Sequence, residues 1–401
     1  MEKLNYYVLL LVPEKLNFIF KNLGEVIIMK KVETIAVLGG GNGAFIHAAD
    51  LSLKGFKVNL CEIKKLEKNI EEVKKSGTIT LTTRNNPGFD GGIAKLNLVT
   101  SDPSKALKDA QVVFVVVPAF AQGKFADFIS DSVRDDQVVL IEPGDFGGSL
   151  EFTKVLLRKG KKKLPIIMEL QSMIYSGWKD SGTSVWASGF KKDLKTAAFP
   201  ASRTEEGLSV LRQIYPGLKA AQNVFETGMS RPNVPFHAPM LMCNAGWCEH
   251  TKGDFMIYWD GCTKSVGRLV EAVDNERLLV GKAYGMDLDS AKEILIKWYG
   301  HQGAKGDTLQ EIMSTNPAYQ FDKCPSSLQH RYFLEDIPYG VIPLRDLGRV
   351  AGVPVPNASA IVTIVSTLLG ENLENKARSL EQLGLKNLNV KEISKVMLEG
   401  F

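Results

Sequence analysis

The stretch Thr34-Ile-Ala-Val-Leu-Gly-Gly-Gly-Asn-Gly-Ala-Phe45, followed by Val58-Asn-Leu-Cys-Glu62, constrains the fold more than any other part of this chain. Ile35 to Leu38 is a short apolar run of the kind buried on both faces of a parallel sheet, and glycines follow it at once. Gly39, Gly41 and Ala44 fit G-x-G-x-x-G/A, in which the first glycine makes the tight turn and the second lets a pyrophosphate approach the backbone. The third small residue keeps helix and strand close. Asn42 and Gly43 lead into the helix expected from Ala44, and the amides at that helix start face the phosphates. Glu62 stands 23 residues after Gly39, near the spacing expected of the carboxylate that accepts hydrogen bonds from an adenosine ribose. The pattern implies a dinucleotide cofactor, NAD or NADP, with NAD favoured, although Lys64 and Lys65 stand where a 2′-phosphate would meet them. Asn42 reads equally as a turn residue or as an amide reaching the pyrophosphate.

The remaining chain sorts into two halves. Apolar runs at Ile35 to Leu38, Lys57 to Leu60, Val112 to Val117, Val138 to Ile141, Ile166 to Leu170 and Ser184 to Ala187 alternate with helical stretches, which predicts a Rossmann-type, doubly wound parallel sheet. The crossover helices are expected over Ala44 to Leu53 and Lys65 to Lys75, with Ser76-Gly77 stopping the second. Thr78 to Thr83 reads as a small strand before a hairpin-like excursion through Gly92. After Ser202 the period becomes helical, and eight segments between Glu205 and Glu399 predict an all-α second domain. The expected division is an N-terminal extension 1-28, a dinucleotide-binding domain 29-202 and a helical substrate domain 203-401, with the ligand cleft between the last two. Met29 stands immediately before the first Rossmann strand, as an initiator would.

Composition narrows the function class. At 401 residues, 44% hydrophobic and 23% charged, the chain has the make-up of a globular protein of two or three units, and a net charge of +4 gives no reason to expect nucleic acid. Five cysteines, without C-x-x-C or zinc spacing, fit a reducing, cytoplasmic location and no bound metal. Tyr6 to Val12 is too short for a membrane span. The expected partners are small molecules, with a homodimer as one assembly open to the chain.

Chemistry is sought where titratable groups meet helix ends. His237 precedes Pro239 at an expected helix start, where the dipole disfavours the imidazolium and leaves a ring able to exchange a proton near neutrality; by itself it reads first as a satisfied capping residue. Arg331 and Asp336 are five apart, a poor helical match for each other, and Ile337-Pro338 is expected to end any helix there, freeing Asp336 for another partner. Pro118 opens the loop at the carboxyl edge of the central strand, and Gln122 in that loop is a candidate substrate contact or a solvated helix-start residue.

Taken together, the glycine fingerprint, Val115-Val-Val-Pro-Ala-Phe120, Glu142-Pro-Gly-Asp-Phe-Gly-Gly148, Asn233 to Gly246 with its His-Ala-Pro, and Glu335-Asp-Ile-Pro-Tyr-Gly340 resemble the opine dehydrogenases of the octopine and nopaline type, from about Val32 to Leu369. The resemblance implies reductive condensation of an amino acid with an α-keto acid through an imine, using NAD(P)H. It implies His237 as general acid/base, Asp336 as the group fixing its tautomer, and Arg331 as a bidentate clamp on a substrate carboxylate. His-Ala-Pro in place of His-Pro-Pro, and a glutamate-led loop at Glu142, depart from the family pattern around the amino-acid pocket. The rival readings are a related two-domain reductase of 2-keto or 2-hydroxy acids, and a dinucleotide-binding regulator without catalysis.

Overall fold

The computed structural model describes residues 31–401 and the backbone of two short strands, Ile19–Asn22 and Glu25–Ile28. Those two strands pair antiparallel as a sheet of their own. The rest of the expected extension lies outside the described residues.

The central sheet has eight strands, in the spatial order Lys219–Ala220, Lys195–Phe199, Ile166–Leu170, Val138–Ile141, Val112–Val115, Thr34–Leu38, Lys57–Cys61 and Leu98–Thr100. The six strands from Ile166–Leu170 to Leu98–Thr100 are parallel throughout. Their order is the doubly wound 3-2-1-4-5-6, which puts the topological switch point between Thr34–Leu38 and Val112–Val115, where ligands bind in such sheets. Lys195–Phe199 runs antiparallel to Ile166–Leu170 and parallel to Lys219–Ala220.

Ser184 to Ala187, expected in this sheet, belongs elsewhere. The strand Ser184–Phe190 sits in a second, four-stranded sheet between Tyr175–Lys179 and Thr78–Thr83, with Gly92–Lys95 at the far edge. This sheet packs on the first crossover helix, Asn42–Leu53, whose other side lies on the central sheet. Nine of its twelve residues are buried, as a helix covered on both sides requires. Lys65 to Lys75, expected as one helix, is a tight 3₁₀ stretch, Lys64–Ile70, running into a short α-helix, Glu71–Ser76, that Gly77 ends in the left-handed conformation.

Beyond residue 203 the chain is helical, as expected, apart from the two-residue strand Lys219–Ala220. Helices Asn233–Cys243, Lys264–Ala283, Ile342–Ala351 and Pro356–Leu369 pack together, and one hydrophobic core runs on from them into the sheet half. Pro338 does not end the helical path: Ile337–Val341 form one wide π-type turn leading directly into Ile342–Ala351. Among the described residues no helix is long and apolar enough to cross a membrane.

Candidate active site

The glycine turn is shaped from both sides. Gly39 has φ +118°, and a Cβ there would lie 2.5 Å from the Val116 carbonyl, so neither the conformation nor the space admits another residue. Gly41, which opens the helix Asn42–Leu53, has ordinary φ, and a Cβ on it would meet nothing within 4 Å. Open space therefore faces the backbone at the second glycine of the fingerprint. A Cβ on Gly43 would stand 3.0 Å from Val116 Cγ1, and Ala44 is fully buried. Asn42 Oδ1 accepts from the Lys179 amide at 3.1 Å, tying the turn to the small sheet. Glu62 is buried beside the turn, its carboxylate accepting from the Ile63 amide at 2.8 Å and from Asn69 Nδ2 at 3.3 Å. Burial raises its pKa against the pull of those hydrogen bonds.

A cavity of about 390 Å³ opens from this turn. Gly41, Asn42, Gly43 and Pro118 line it from the sheet side; His237, Tyr258, Arg331 and Tyr332 line it from the helical side. The strand expected over Val112 to Val117 stops at Val115, so Val116 and Val117 also face the cavity. His237 lies in the second turn of Asn233–Cys243 rather than at its cap. Its Nδ1 faces Asp336 Oδ2 at 2.5 Å, its Nε2 faces the Tyr258 hydroxyl at 2.6 Å, and its ring stacks on Tyr332 with centroids 3.8 Å apart. Burial lowers the His237 pKa below its ordinary value; Asp336 opposes the shift, whereas Arg231 and Arg331 add to it.

Asp336 stands behind the imidazole, away from the cavity lining. Burial works to raise its carboxyl, but His237, Arg231 and Arg331 together hold it below the ordinary range. As the sequence spacing suggests, Asp336 turns away from Arg331, which pairs instead with Glu335 one helical turn on, Nε to Oε2 at 2.8 Å. Glu335 is fully buried and accepts the Ala119 amide at 2.8 Å, joining the segment that carries Arg331 to the helix that starts after Pro118.

Sequence reasoning singled out Asp336 but neither Arg231 nor Asp145, which is bound to it. Arg231 is buried, donates to Asp336 Oδ1 at 3.2 Å and pairs with Asp145, a residue at φ +55° in the Glu142 to Gly148 loop. A continuous line therefore runs from His237 through Asp336 and Arg231 to Asp145. Asp145 lies inside a motif visible in sequence, whereas Arg231 and Tyr258 carry no periodic signal. Gln122 faces neither the cavity nor solvent. It is fully buried, its Nε2 donating to the Pro143 carbonyl at 2.8 Å and its Oε1 accepting from Arg378 at 2.8 Å. Arg378 is itself buried and also donates to the carbonyls of Ala119 and Phe146, both at 3.1 Å.

Comparison with known proteins agrees with this architecture. Residues 220–369 match the model of the NAD/NADP octopine/nopaline dehydrogenase alpha-helical domain. An opine dehydrogenase of Arthrobacter sp. (strain 1C) is 34% identical over 360 residues, covering 90% of this chain and 97% of the relative. The octopine dehydrogenase of Pecten maximus is 23% identical over 366 residues, 84% and 90% of the two chains. Among solved structures, octopine dehydrogenase with NADH and L-arginine superposes at a TM-score of 0.71 with 19% identity, covering 90% of this chain and 97% of that one. Yersinopine dehydrogenase with NADP+ does so at 0.64 with 14% identity, covering 92% and 98%. Full-length similarity at this level, on a doubly wound sheet joined to this helical half, shows that the chain belongs to the opine dehydrogenase family of oxidoreductases.

Proposed function

We propose that the chain is an NAD(P)-dependent opine dehydrogenase, joining the amino group of an amino acid to the carbonyl carbon of an α-keto acid and reducing the resulting imine to a secondary amine. The observation that carries this reading is the opening of His237 and Arg331 onto the same cavity as the glycine turn. The open face at Gly41 fits a pyrophosphate, and the carboxylate of Glu62 beside the turn fits an unphosphorylated ribose, which favours NAD. Among relatives, octopine dehydrogenase has been solved with NADH and L-arginine or pyruvate, and yersinopine dehydrogenase with NADP+, which supports a nicotinamide cofactor and small acids as ligands.

The residues divide the work. Arg331 holds the keto-acid carboxylate, its guanidinium offering the paired donors that a lysine lacks. Asp336 accepts a hydrogen bond from the Nδ1–H of His237, which leaves Nε2 as the atom that gains or gives a proton on the cavity side. Tyr258, at 2.6 Å from Nε2, holds that nitrogen in line. The nicotinamide, when bound, supplies or receives hydride. In condensation, nitrogen bonds to the keto carbon and the keto oxygen departs as water, so a proton must reach that oxygen; His237 in its charged form is placed to give it. The oxidative direction needs the neutral ring.

A matrix of NADH and NADPH oxidation over paired amino and keto acids tests the reading. Oxidation that requires both substrates, with His237→Ala lowering kcat by about 10² or more at nearly unchanged cofactor affinity, is expected. Oxidation independent of the amine would instead indicate a keto-acid reductase.

A further inference from the structure

The cavity has a second polar wall that the roles above leave unused. Lys191, between the strands Ser184–Phe190 and Lys195–Phe199, is 9% exposed; its Nζ donates to the Met173 carbonyl at 2.8 Å and lies 5.5 Å from the Trp298 ring centroid and 5.7 Å from that of Tyr299. Asp322 follows Tyr319 and accepts the indole N–H of Trp178 at 3.3 Å. All of these are set around one space: Lys191, Asp322, Trp298 and Tyr299, with Met173 and Trp178, line the same cavity as His237 and Arg331. Among the described residues neither Lys191 nor Asp322 has an ion-pair partner within 4 Å, and burial pushes the Asp322 carboxyl up to about 7, with Trp178 and Lys191 opposing.

A charged group held in a half-closed, aromatic-walled cavity without a counter-ion is costly unless a ligand supplies one. Besides Arg231, which is paired with Asp145 and Asp336, and Glu142, which is bound to His47 and the Ile174 amide, the cavity presents two cations, Arg331 and Lys191, and one carboxylate, Asp322. A secondary amine dicarboxylate carries the complement: two carboxylates and one cationic nitrogen. With Arg331 committed to the keto-acid end, the other two groups fall to the amino-acid end.

We propose that Lys191 and Asp322 form the amino-acid subsite, Lys191 holding the α-carboxylate and Asp322 the α-ammonium, with Trp298 and Tyr299 as the wall against the substrate side chain. The assignment rests on the function proposed above and adds to it the residues that recognise the head group of the amino acid.

The test is steady-state kinetics on Lys191→Met, Lys191→Arg and Asp322→Asn, with NADH binding measured by fluorescence as a check of folding. Loss of a charge-assisted hydrogen bond predicts an amine KM raised about tenfold or more in Lys191→Met and Asp322→Asn, for every amino acid that is a substrate, with keto-acid KM and NADH affinity within about threefold of wild type. Lys191→Arg restores most of the amine affinity. Wild-type turnover with unchanged amine KM in both charge-removing variants overturns the subsite alone. A KM effect of Asp322→Asn confined to amino acids with basic side chains overturns the ammonium assignment. Absence of amine-dependent turnover in the wild type overturns the function and the subsite together.

Discussion

Replacing Asp336 by asparagine isolates the charge behind the imidazole. The carboxylate sits 2.5 Å from His237 Nδ1, and its second oxygen is held by Arg231 at 3.2 Å. An asparagine oxygen can keep the Arg231 contact, which turns the amide N–H₂ toward His237. Two effects then act in one direction. The ring is steered to the tautomer with its proton on Nε2, and the imidazolium loses its counter-charge. With charge centres about 4 Å apart and an effective dielectric near 20, that attraction amounts to about 4 kcal/mol, or roughly three pKa units. Since burial already holds the His237 pKa low, removal of Asp336 pushes it lower still. Condensation needs the charged ring, so its rate falls as pH rises through the lowered pKa; oxidation needs the neutral ring and rises to a plateau above it. Asp336→Asn is expected to lower kcat for condensation about 10³-fold at neutral pH and to move the descending limb to more acidic pH, with NADH affinity unchanged. The assay is kcat against pH in both directions. A variant within about tenfold of wild type, with its pH limb in place, would refute the electrostatic argument.

The same geometry sets three further expectations. Arg331→Lys keeps a charge beside Glu335 but loses the fork, so the keto-acid KM rises about tenfold or more while NADH affinity holds; an unchanged KM removes Arg331 from the carboxylate site. Gly41→Ala meets open space and leaves Tm unchanged, yet places a methyl where the pyrophosphate is proposed to lie and weakens NADH binding, whereas Gly39→Ala meets the Val116 carbonyl at positive φ and lowers Tm itself; thermal melts with NADH titrations separate the two. Burial raises the Glu169 carboxyl to about 7, so its contribution to stability is complete below the unfolded pKa near 4.5 and is lost as pH rises through 7. Glu169→Gln removes that slope, worth about 3 kcal/mol across the window, and denaturant melts at pH 5 and pH 8 should show wild type losing more stability than the variant.

Much of this was legible in the amino-acid order because the governing interactions are local. A turn that admits only glycine at Gly39, a carboxylate at the end of the next strand and a five-residue offset that keeps Arg331 from Asp336 are all short-range constraints. The small sheet was not legible as such. Thr78–Thr83 and Ser184–Phe190 each look like strands, but their pairing joins segments about a hundred residues apart, and nothing in either says which sheet it enters. Arg231 was invisible for another reason: a single buried charge has no period, and its value becomes apparent only when Asp145 and Asp336, distant in sequence, pair with it. Gln122 shows the limit of reading a loop by its position, since a helix-start residue can face a cavity, solvent or, as here, a buried arginine.

Arg378 carries a consequence for biogenesis. It donates to the Phe146 carbonyl, 232 positions earlier in the chain, and to the side-chain oxygen of Gln122, 256 positions earlier. Domains generally fold as they emerge during synthesis. Here, however, the carbonyls of the loop beneath the cavity wait for a donor translated long after them. The sheet half can collapse early, but its ligand-facing loops are sealed only when this distant arginine arrives, so a nascent chain stalled before that point should be open to proteases at the Glu142 to Gly148 loop.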